Sequence, residues 1–190
     1  MKLLAIHGSP RTNGSSSAIH RAFTEPFIAA GAVIKEIHVY EKRILPCTAC
    51  GACRESFSCP LNDDMSAIYT LINDADVISI STPLYFSSFP SQLKALMDRC
   101  QVFWEIGNAG HISGINKKHA AIICTAGSSY SNMFSGVLLS MKHFFKTINA
   151  VFYENEAILV PDLDTGNKIS LEIIDRASTL SEGIIAHSMK

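Results

Sequence analysis

The sequence predicts an α/β fold in which a doubly wound parallel sheet of five strands carries helices on both faces. Short apolar runs alternate along the chain with stretches whose apolar residues recur at helical spacing, the pattern of a parallel sheet with crossover helices. The runs at residues 3–6 and 77–81 contain no charged residue, as expected for strands buried on both faces. Hydroxyl-rich loops follow three of the runs, at residues 8–17, 82–90 and 125–130. In an open sheet such loops share the carboxyl edge, where ligands bind.

The N-terminal part of the chain begins this alternation with the strand at residues 3–6. The helix that follows is predicted from about residue 16 to residue 30, with Pro26 kinking or dividing it and Gly31 ending it. A second strand at residues 33–39 carries charged side chains. We therefore expect it at the edge of the sheet.

The chain continues the same alternation to its end. The further elements are predicted as a helix capped by Asp63-Asp64, a strand at 77–81, a helix from Ser91, a strand at 120–124, a helix at 132–148, a strand at 152–160 and a helix at 169–187. A turn is expected at residues 162–167. Residues 41–62 have no periodicity, and a long irregular loop in a compact domain is usually functional. We interpret it as an insertion into a single domain of residues 1–190.

Composition excludes several classes of partner. The 190 residues are 47% hydrophobic, enough for one sizeable core. The formal net charge is -1 and no basic stripe is present, so a nucleic-acid partner is not expected. No apolar stretch reaches the roughly 18 residues of a membrane span, and the chain enters its first strand without a signal peptide. These features predict a cytoplasmic protein with no membrane partner.

The first loop has the residues of an anion site. It opens a helix, whose first N–H groups lack partners and whose dipole is positive at that end. Hydroxyl donors and a guanidinium lie in the same ten residues, namely Ser9, Arg11, Thr12, Ser15, Ser16 and Ser17. Serines that only cap the helix are the alternative. The loop has neither the Gly-Lys-Ser/Thr ending of a nucleotide P-loop nor a G-x-G-x-x-G pattern. A single wrapped monophosphate fits best.

The second loop places aromatic side chains directly after a strand. Tyr85, Phe86 and Phe89 follow the run at 77–81. Packing in the core is the alternative for these rings, but aromatic residues at a ligand-binding edge favour contact with a ligand.

Four cysteines lie close together in the long loop. Cys47, Cys50 and Cys53 have the spacing C-x2-C-x2-C, and Cys59 follows with Pro60 after it, as in bacterial ferredoxins. Without an export signal, metal or redox chemistry is favoured over disulfides. A [4Fe-4S] cluster, zinc and free thiols all remain compatible with this spacing.

Other conspicuous residues have structural interpretations. Asp98-Arg99 is expected to form salt bridges within a helix or between subunits, and His7 to be hydrogen-bonded at its strand end. Trp104 is assigned to a subunit interface. Cys100 and Cys124 are expected to pack as small buried hydrophobes.

Taken together, the motifs at 8–16, 82–86 and 125–127 resemble those of the NAD(P)H-dependent FMN reductases of the flavodoxin-like fold, and the resemblance extends over essentially the whole chain. The cysteine run, followed by residues 63–65, resembles the iron–sulfur flavoprotein branch. The resemblance implies a sheet of order 2-1-3-4-5, with FMN as cofactor and NAD(P)H as co-substrate.

The resemblance also implies roles for particular residues. The FMN phosphate would be held by Ser9, Arg11, Ser15, Ser16 and Ser17. The ribityl chain and the isoalloxazine edge would lie along Pro83, Leu84, Tyr85 and Phe86. The pyrimidine end would approach Thr125, Ala126 and Gly127. No catalytic side chain is expected, because the flavin carries the chemistry.

The expected function is therefore that of an FMN-dependent oxidoreductase, which passes electrons from NAD(P)H to flavin and then to a small acceptor such as a quinone, a nitroaromatic or free flavin. One alternative is an iron–sulfur electron carrier that receives electrons from ferredoxin. Others are a flavodoxin-type carrier, which the near-zero net charge disfavours, and a metal-binding interaction module. A homodimer or homotetramer is expected.

Overall fold

The protein, seen in a computed structural model that describes residues 1–163 and 168–188, is built on a parallel sheet. Its strands are β1 (Lys2–His7), β2 (Val33–His38), β3 (Val77–Pro83), β4 (Lys118–Thr125), β5 (Ala150–Val151) and β6 (Ala157–Val160). Its α-helices are α1 (Ser15–Ala29), α2 (Cys53–Ser56), α3 (Met65–Asp74), α4 (Ser91–Arg99), α5 (Gln101–Asn108), α6 (Ser135–Thr147) and α7 (Leu171–Ser188). Short 3-10 turns are added at Val39–Glu41, Ile112–Gly114 and Glu154–Glu156.

The strand order β2-β1-β3-β4-β5 confirms the predicted topology, with β2 at an edge. The single strand predicted at 152–160 is wrong in its first half. Two short strands replace it, and both pair with β4: β5 with its start and β6 with its end. Between them lies a 3-10 turn at Glu154–Glu156, in which the N–H of Glu156 donates to the carbonyl of Tyr153 at 2.9 Å.

Both faces of the sheet are covered, which explains the uncharged runs. Leu4 and Ile80 point into the larger core with α3, α4 and α6, whereas Leu3 and Val77 point into a second core under α1 and α7. Because side chains alternate along a strand, each central strand supplies both cores.

Helix α1 is not divided at Pro26, which lies in its last turn. Pro26 has no N–H to give to the carbonyl of Ala22 one turn earlier. The hydroxyl of Ser178 on α7 donates to that carbonyl instead, at 3.2 Å. A tertiary contact thus supplies the bond that the proline removes.

Several predicted boundaries shift by a few residues. The helix predicted from Ser91 is two helices that meet at Cys100, and the helix predicted from residue 132 begins at Ser135. Residues 164–167 of the predicted turn lie outside the described residues. Among the helices of the described residues, none has both the length and the apolarity needed to cross a membrane.

Candidate functional site

The three hydroxyl-rich loops meet in one cleft of about 970 Å³ at the carboxyl edge of the sheet. Backbone hydrogen bonds join them to their neighbours. The N–H of Gly8 donates to the carbonyl of Ser81 at 2.7 Å, and that of Leu84 donates to the carbonyl of Thr125 at 2.7 Å. The cleft therefore has walls fixed to the rigid sheet.

The first loop folds around the backbone of Arg11. The Arg11 N–H donates to the Ser9 hydroxyl oxygen at 3.0 Å, and the Arg11 carbonyl accepts from the Ser17 hydroxyl at 3.3 Å and from the Gly14 N–H at 3.2 Å. These internal hydrogen bonds stabilise the conformation of the loop. The Arg11 side chain is exposed at the cleft.

The start of α1 faces the same cleft with unpaired donors. The first helical hydrogen bond runs from the N–H of Ala18 to the carbonyl of Gly14, at 3.0 Å. Within residues 1–163 and 168–188, the N–H groups of residues 15–17 have no carbonyl partner. Free amides beside the Ser15 and Ser16 side chains can bind an anion.

Most of the predicted ligand-binding residues line this cleft: Ser9, Arg11, Ser15, Ser16, Pro83, Leu84, Tyr85, Thr125, Ala126 and Gly127. Ser17 and Phe86 lie outside its lining. Asn13, Ser128 and Leu163 line it as well. Ser128 falls within a loop that the sequence indicated, but Leu163 carried no such signal, because only the path of the chain after β6 brings it there.

A tight hairpin forms the rim of the second loop. Tyr85 and Ser88 exchange both backbone hydrogen bonds, at 3.0 and 2.9 Å. The two turn residues, Phe86 and Ser87, have φ of +50° and +57°, the left-handed conformation that two-residue hairpins need. The Ser87 hydroxyl lies 2.7 Å from that of Tyr130, which ties this hairpin to the third loop.

The aromatic side chains of the second loop have different environments. The Phe86 ring is fully exposed at the tip of the hairpin, and Tyr85 is about 43% exposed at the cleft. Phe89 is buried in the larger core, so the expectation that it contacts a ligand is wrong. Its side chain packs in the larger core rather than in the cleft, because burying an aromatic ring away from water is favourable.

The four loop cysteines line a second cavity, of about 300 Å³. The backbone turns between them through Ala49 and Gly51, with φ of +52° and +79°. All six cysteines of the chain are free thiols. Burial raises the pKa of the Cys53 thiol, and the negative charge of Glu105 raises it further.

One buried cation borders the cysteine cavity. Arg99 lines it, and among the described residues the Arg99 Nε has no hydrogen-bond partner although it is buried. An unpaired buried donor beside four thiols fits an anionic group held by the cysteines.

Arg99 and Asp63 together close the base of the cysteine loop. The guanidinium binds the carboxylate through two bonds, Nη1 to Oδ2 at 2.6 Å and Nη2 to Oδ1 at 3.1 Å, and Nη1 also donates to the carbonyl of Leu45 at 2.8 Å. Burial alone would raise the pKa of Asp63. The bonds from Arg99 and from the N–H groups of Leu45 and Met65 outweigh it and hold that pKa below its usual range. The predicted salt bridge of Arg99 is thus buried within one chain.

A histidine cluster lies below the first loop, on the α1 side of the sheet. His7 stacks on His38 with ring centroids 4.3 Å apart, and its Nδ1 lies 3.4 Å from Nδ1 of His20. The Nε2 of His20 lies 2.7 Å from the hydroxyl of Ser79. Burial lowers the pKa of both His7 and His20, with a further contribution from neighbouring histidines. His7 therefore turns away from the cleft.

The sheet order and a hydroxyl-lined cleft at its carboxyl edge define a flavodoxin-like protein. A family profile described as NADPH-dependent FMN reductase matches residues 1–162. The chain belongs to this family of flavoprotein oxidoreductases, which confirms the family predicted from the motifs.

Relatives and solved structures agree with this assignment. An iron–sulfur flavoprotein of Methanosarcina thermophila is 38% identical over 99 residues, which cover 52% of each chain. One of Methanocaldococcus jannaschii is 35% identical over 99 residues, 52% of this chain and 51% of the relative. The chain spans about half the length of the curated relatives it matches.

The solved structures confirm the predicted fold over nearly the full chain. An NAD(P)H:quinone oxidoreductase from Methanothermobacter marburgensis superposes with a TM-score of 0.71 at 22% identity, covering 95% of this chain and 94% of the other. A WrbA-like flavodoxin protein from Agrobacterium tumefaciens has a TM-score of 0.61 at 13% identity, covering 99% and 96%.

Proposed function

We propose that the protein is an FMN-dependent oxidoreductase that takes electrons from NAD(P)H and delivers them to a small acceptor such as a quinone, a nitroaromatic or free flavin. The observation that carries this proposal is the first loop, where the free amides of Ser15 and Ser16 and the residues Ser9 and Arg11 line the cleft. This donor set matches a phosphate monoester better than any neutral group.

The residues present fit FMN. Ser9, Arg11, Ser15 and Ser16 would hold its phosphate. The loops that begin at Pro83 and Thr125 would offer backbone groups along the rest of the cofactor. FMN, when bound, supplies the redox chemistry, because its ring exchanges electrons with NAD(P)H and with acceptors. The protein binds and orients the cofactor, and the open cleft admits the second substrate.

A charge placed in the first loop tests the phosphate assignment. The variant Ser15→Asp sets a carboxylate among the free amides, where it repels a phosphate. We expect it to weaken FMN binding at least tenfold but to leave the binding of riboflavin, which lacks the phosphate, nearly unchanged. Ser91→Asp is the matched control, since Ser91 is an exposed first residue of α4 outside the cleft lining. Flavin fluorescence quenching gives both affinities.

Steady-state kinetics test the reaction itself. The FMN-loaded protein is expected to oxidise NADPH or NADH when a quinone or free flavin is added, and Ser15→Asp to lose activity in proportion to its FMN content. A protein that binds neither flavin, or an FMN-loaded protein that leaves both nicotinamides unoxidised, contradicts the proposal.

A second candidate function is that of an iron–sulfur flavoprotein, which passes single electrons between ferredoxin and FMN. It is supported by the shared cavity of Cys47, Cys50, Cys53 and Cys59 and by the unpaired Nε of Arg99 at that cavity. Two of the relatives reported above carry this name. The four thiols fit a [4Fe-4S] cluster, which supplies one-electron transfer when bound.

Anaerobic purification distinguishes the three possible states of the cysteines, which are an iron–sulfur cluster, a zinc site and free thiols. An iron–sulfur protein contains iron and acid-labile sulfide in equal amounts and absorbs in the visible range until it is exposed to air. Cys50→Ser is expected to abolish the iron, the sulfide and the part of the visible absorption that FMN does not supply, whereas Cys124→Ala, which removes a buried thiol outside the cavity lining, preserves all three. Zinc without sulfide, or four titratable thiols without metal, contradicts the cluster.

We propose further that the protein acts in the cytoplasm as a homodimer or homotetramer. Six free thiols are typical of a reducing compartment. Trp104 is about 48% exposed beside Cys100 and His143 in a surface groove, as a subunit contact would require. Light scattering of the wild type and of Trp104→Ala tests the assembly, since a monomeric wild type contradicts it.

A further inference from the structure

We infer that His7, Glu36 and His38 form a binding site for a divalent transition-metal ion, independent of the cysteines, that links the edge strand β2 to β1 just before the first loop. The ligand atoms of the three side chains lie within 4.8 Å of one another. Neither the flavin cleft nor the cysteine cavity includes any of them.

The strand register brings these side chains together. His7 pairs with His38 in the parallel ladder, and Ala5 pairs with Glu36. Residues two apart on a strand share a face, so all three side chains project on the side that α1 covers. The register also places the three side chains at the carboxyl edge of the sheet, where His7 ends β1 directly before Gly8.

The strongest indication is an unpaired nitrogen. His7 is only 5% exposed, and its Nε2 is buried without a hydrogen bond among the described residues. That atom lies 3.5 Å from a carboxylate oxygen of Glu36. A buried imidazole nitrogen without a partner is costly. A metal ion between it and the carboxylate would satisfy both groups.

The other nitrogen of His7 also has a hydrogen-bond partner, which is a second histidine. Its Nδ1 faces Nδ1 of His20 at 3.4 Å, and Nε2 of His20 faces the Ser79 hydroxyl at 2.7 Å. With one proton on Nδ1 of His7 and one on Nε2 of His20, each group donates to the next. This relay leaves the lone pair of His7 Nε2 directed at the site, as outer-shell hydrogen bonds do in metal centres.

The donor set selects the class of ion. Two imidazoles and one carboxylate bind Zn²⁺, Fe²⁺ or Ni²⁺ rather than Mg²⁺ or Ca²⁺, which prefer oxygen ligands only. The side chain of Glu36 is about 51% exposed, so it can turn toward an ion and a water ligand can enter. Bonds of about 2.0–2.2 Å then draw the three donors together.

Zinc binding is measured by equilibrium dialysis on the full chain that carries Cys50→Ser and Cys53→Ser, so that the cysteine cavity cannot compete. We expect one high-affinity Zn²⁺ per chain. Glu36→Gln and His38→Gln each weaken it at least tenfold, whereas His143→Gln, at an exposed histidine on α6, leaves it unchanged. Ser79→Ala, which ends the relay, weakens it about tenfold. Circular dichroism verifies folding of each variant.

Either of two outcomes overturns the inference. One is the absence of zinc binding in the protein without the two cysteines. The other is zinc affinity that is the same in Glu36→Gln and His38→Gln as in their parent. Since Glu36 lies on an exposed edge, its variant is expected to fold, and the comparison stays decisive even if His38→Gln unfolds.

Discussion

Arg99 donates two hydrogen bonds to Asp63, of 2.6 and 3.1 Å, and the side chains of both residues are buried. The pair joins the last residue of α4 to a residue two positions before α3. Asp63 also accepts a hydrogen bond from the N–H of Leu45, so it connects the two ends of the segment that carries the cysteines. The position of the cysteine loop therefore depends on one ion pair that lies outside it.

Removing the carboxylate of this pair should destabilise the protein strongly. Asp63→Asn leaves Arg99 charged and unpaired in the interior, which costs about 3–5 kcal/mol of unfolding free energy near neutral pH. The pKa of Asp63 is lower when folded than when unfolded. Its stabilisation is therefore complete above the unfolded value of about 3.9 and is lost as the pH falls through the folded value.

Urea unfolding from pH 7 to pH 2.5 checks both statements. The gap between wild type and Asp63→Asn should be constant down to about pH 4 and narrow below it. Asp98→Asn is the control, since the Lys94–Asp98 pair is half exposed and is worth less than about 0.5 kcal/mol. A gap that does not change with acidification would contradict the assigned pKa.

The hydrogen bond between Ser178 and Ala22 should matter only because Pro26 is present. Ser178→Ala removes the donor of the Ala22 carbonyl and costs about 1 kcal/mol of unfolding free energy. In the background of Pro26→Ala, a backbone N–H becomes available to that carbonyl, so the same change should cost clearly less. A double-mutant cycle by thermal or urea unfolding measures the difference. Additive effects would show that the two residues act separately.

Gly8 is required by a close approach of the first loop to α4. A Cβ there would lie 2.6 Å from the side chain of Leu93 and 3.1 Å from the Ser81 carbonyl. Gly8→Ala should therefore destabilise the protein by about 1–3 kcal/mol and weaken FMN binding, because the loop must shift. Gly114→Ala, where a Cβ meets nothing within 4 Å, should change neither quantity. Calorimetry and flavin titration measure both. Equal behaviour of the two variants would be inconsistent with the packing described.

Two helical glycines should respond to the same substitution with opposite signs. Gly183 is exposed within α7 with open space around it, so Gly183→Ala should stabilise by about 0.5–1 kcal/mol through helix propensity. At Gly136, a Cβ would lie 2.6 Å from the Ser87 carbonyl of the hairpin. Gly136→Ala should destabilise and push the hairpin at the cleft. Unfolding midpoints that rise for both variants would disprove the second contact.

Much of the fold could be predicted because its signals are local. The uncharged run at 77–81 predicts a strand with both faces buried, and that strand lies between the two cores. The serines and glycines of the first loop likewise predict a loop that opens a helix, and α1 begins there at Ser15. In each case, the backbone and side-chain preferences of neighbouring residues are sufficient, and the parallel sheet then aligns the loop ends.

Tertiary structure alone decided how distant residues meet. The burial of Phe89, the rescue of the Ala22 carbonyl by Ser178 and the division of the strand at 152–160 all depend on partners that no local pattern names. So does the meeting of His7 with Glu36, which a register shift of one residue would separate. Sequence periodicity determines which elements form. The free energy gained when the surfaces of different elements are buried against each other determines which side chains end up in contact.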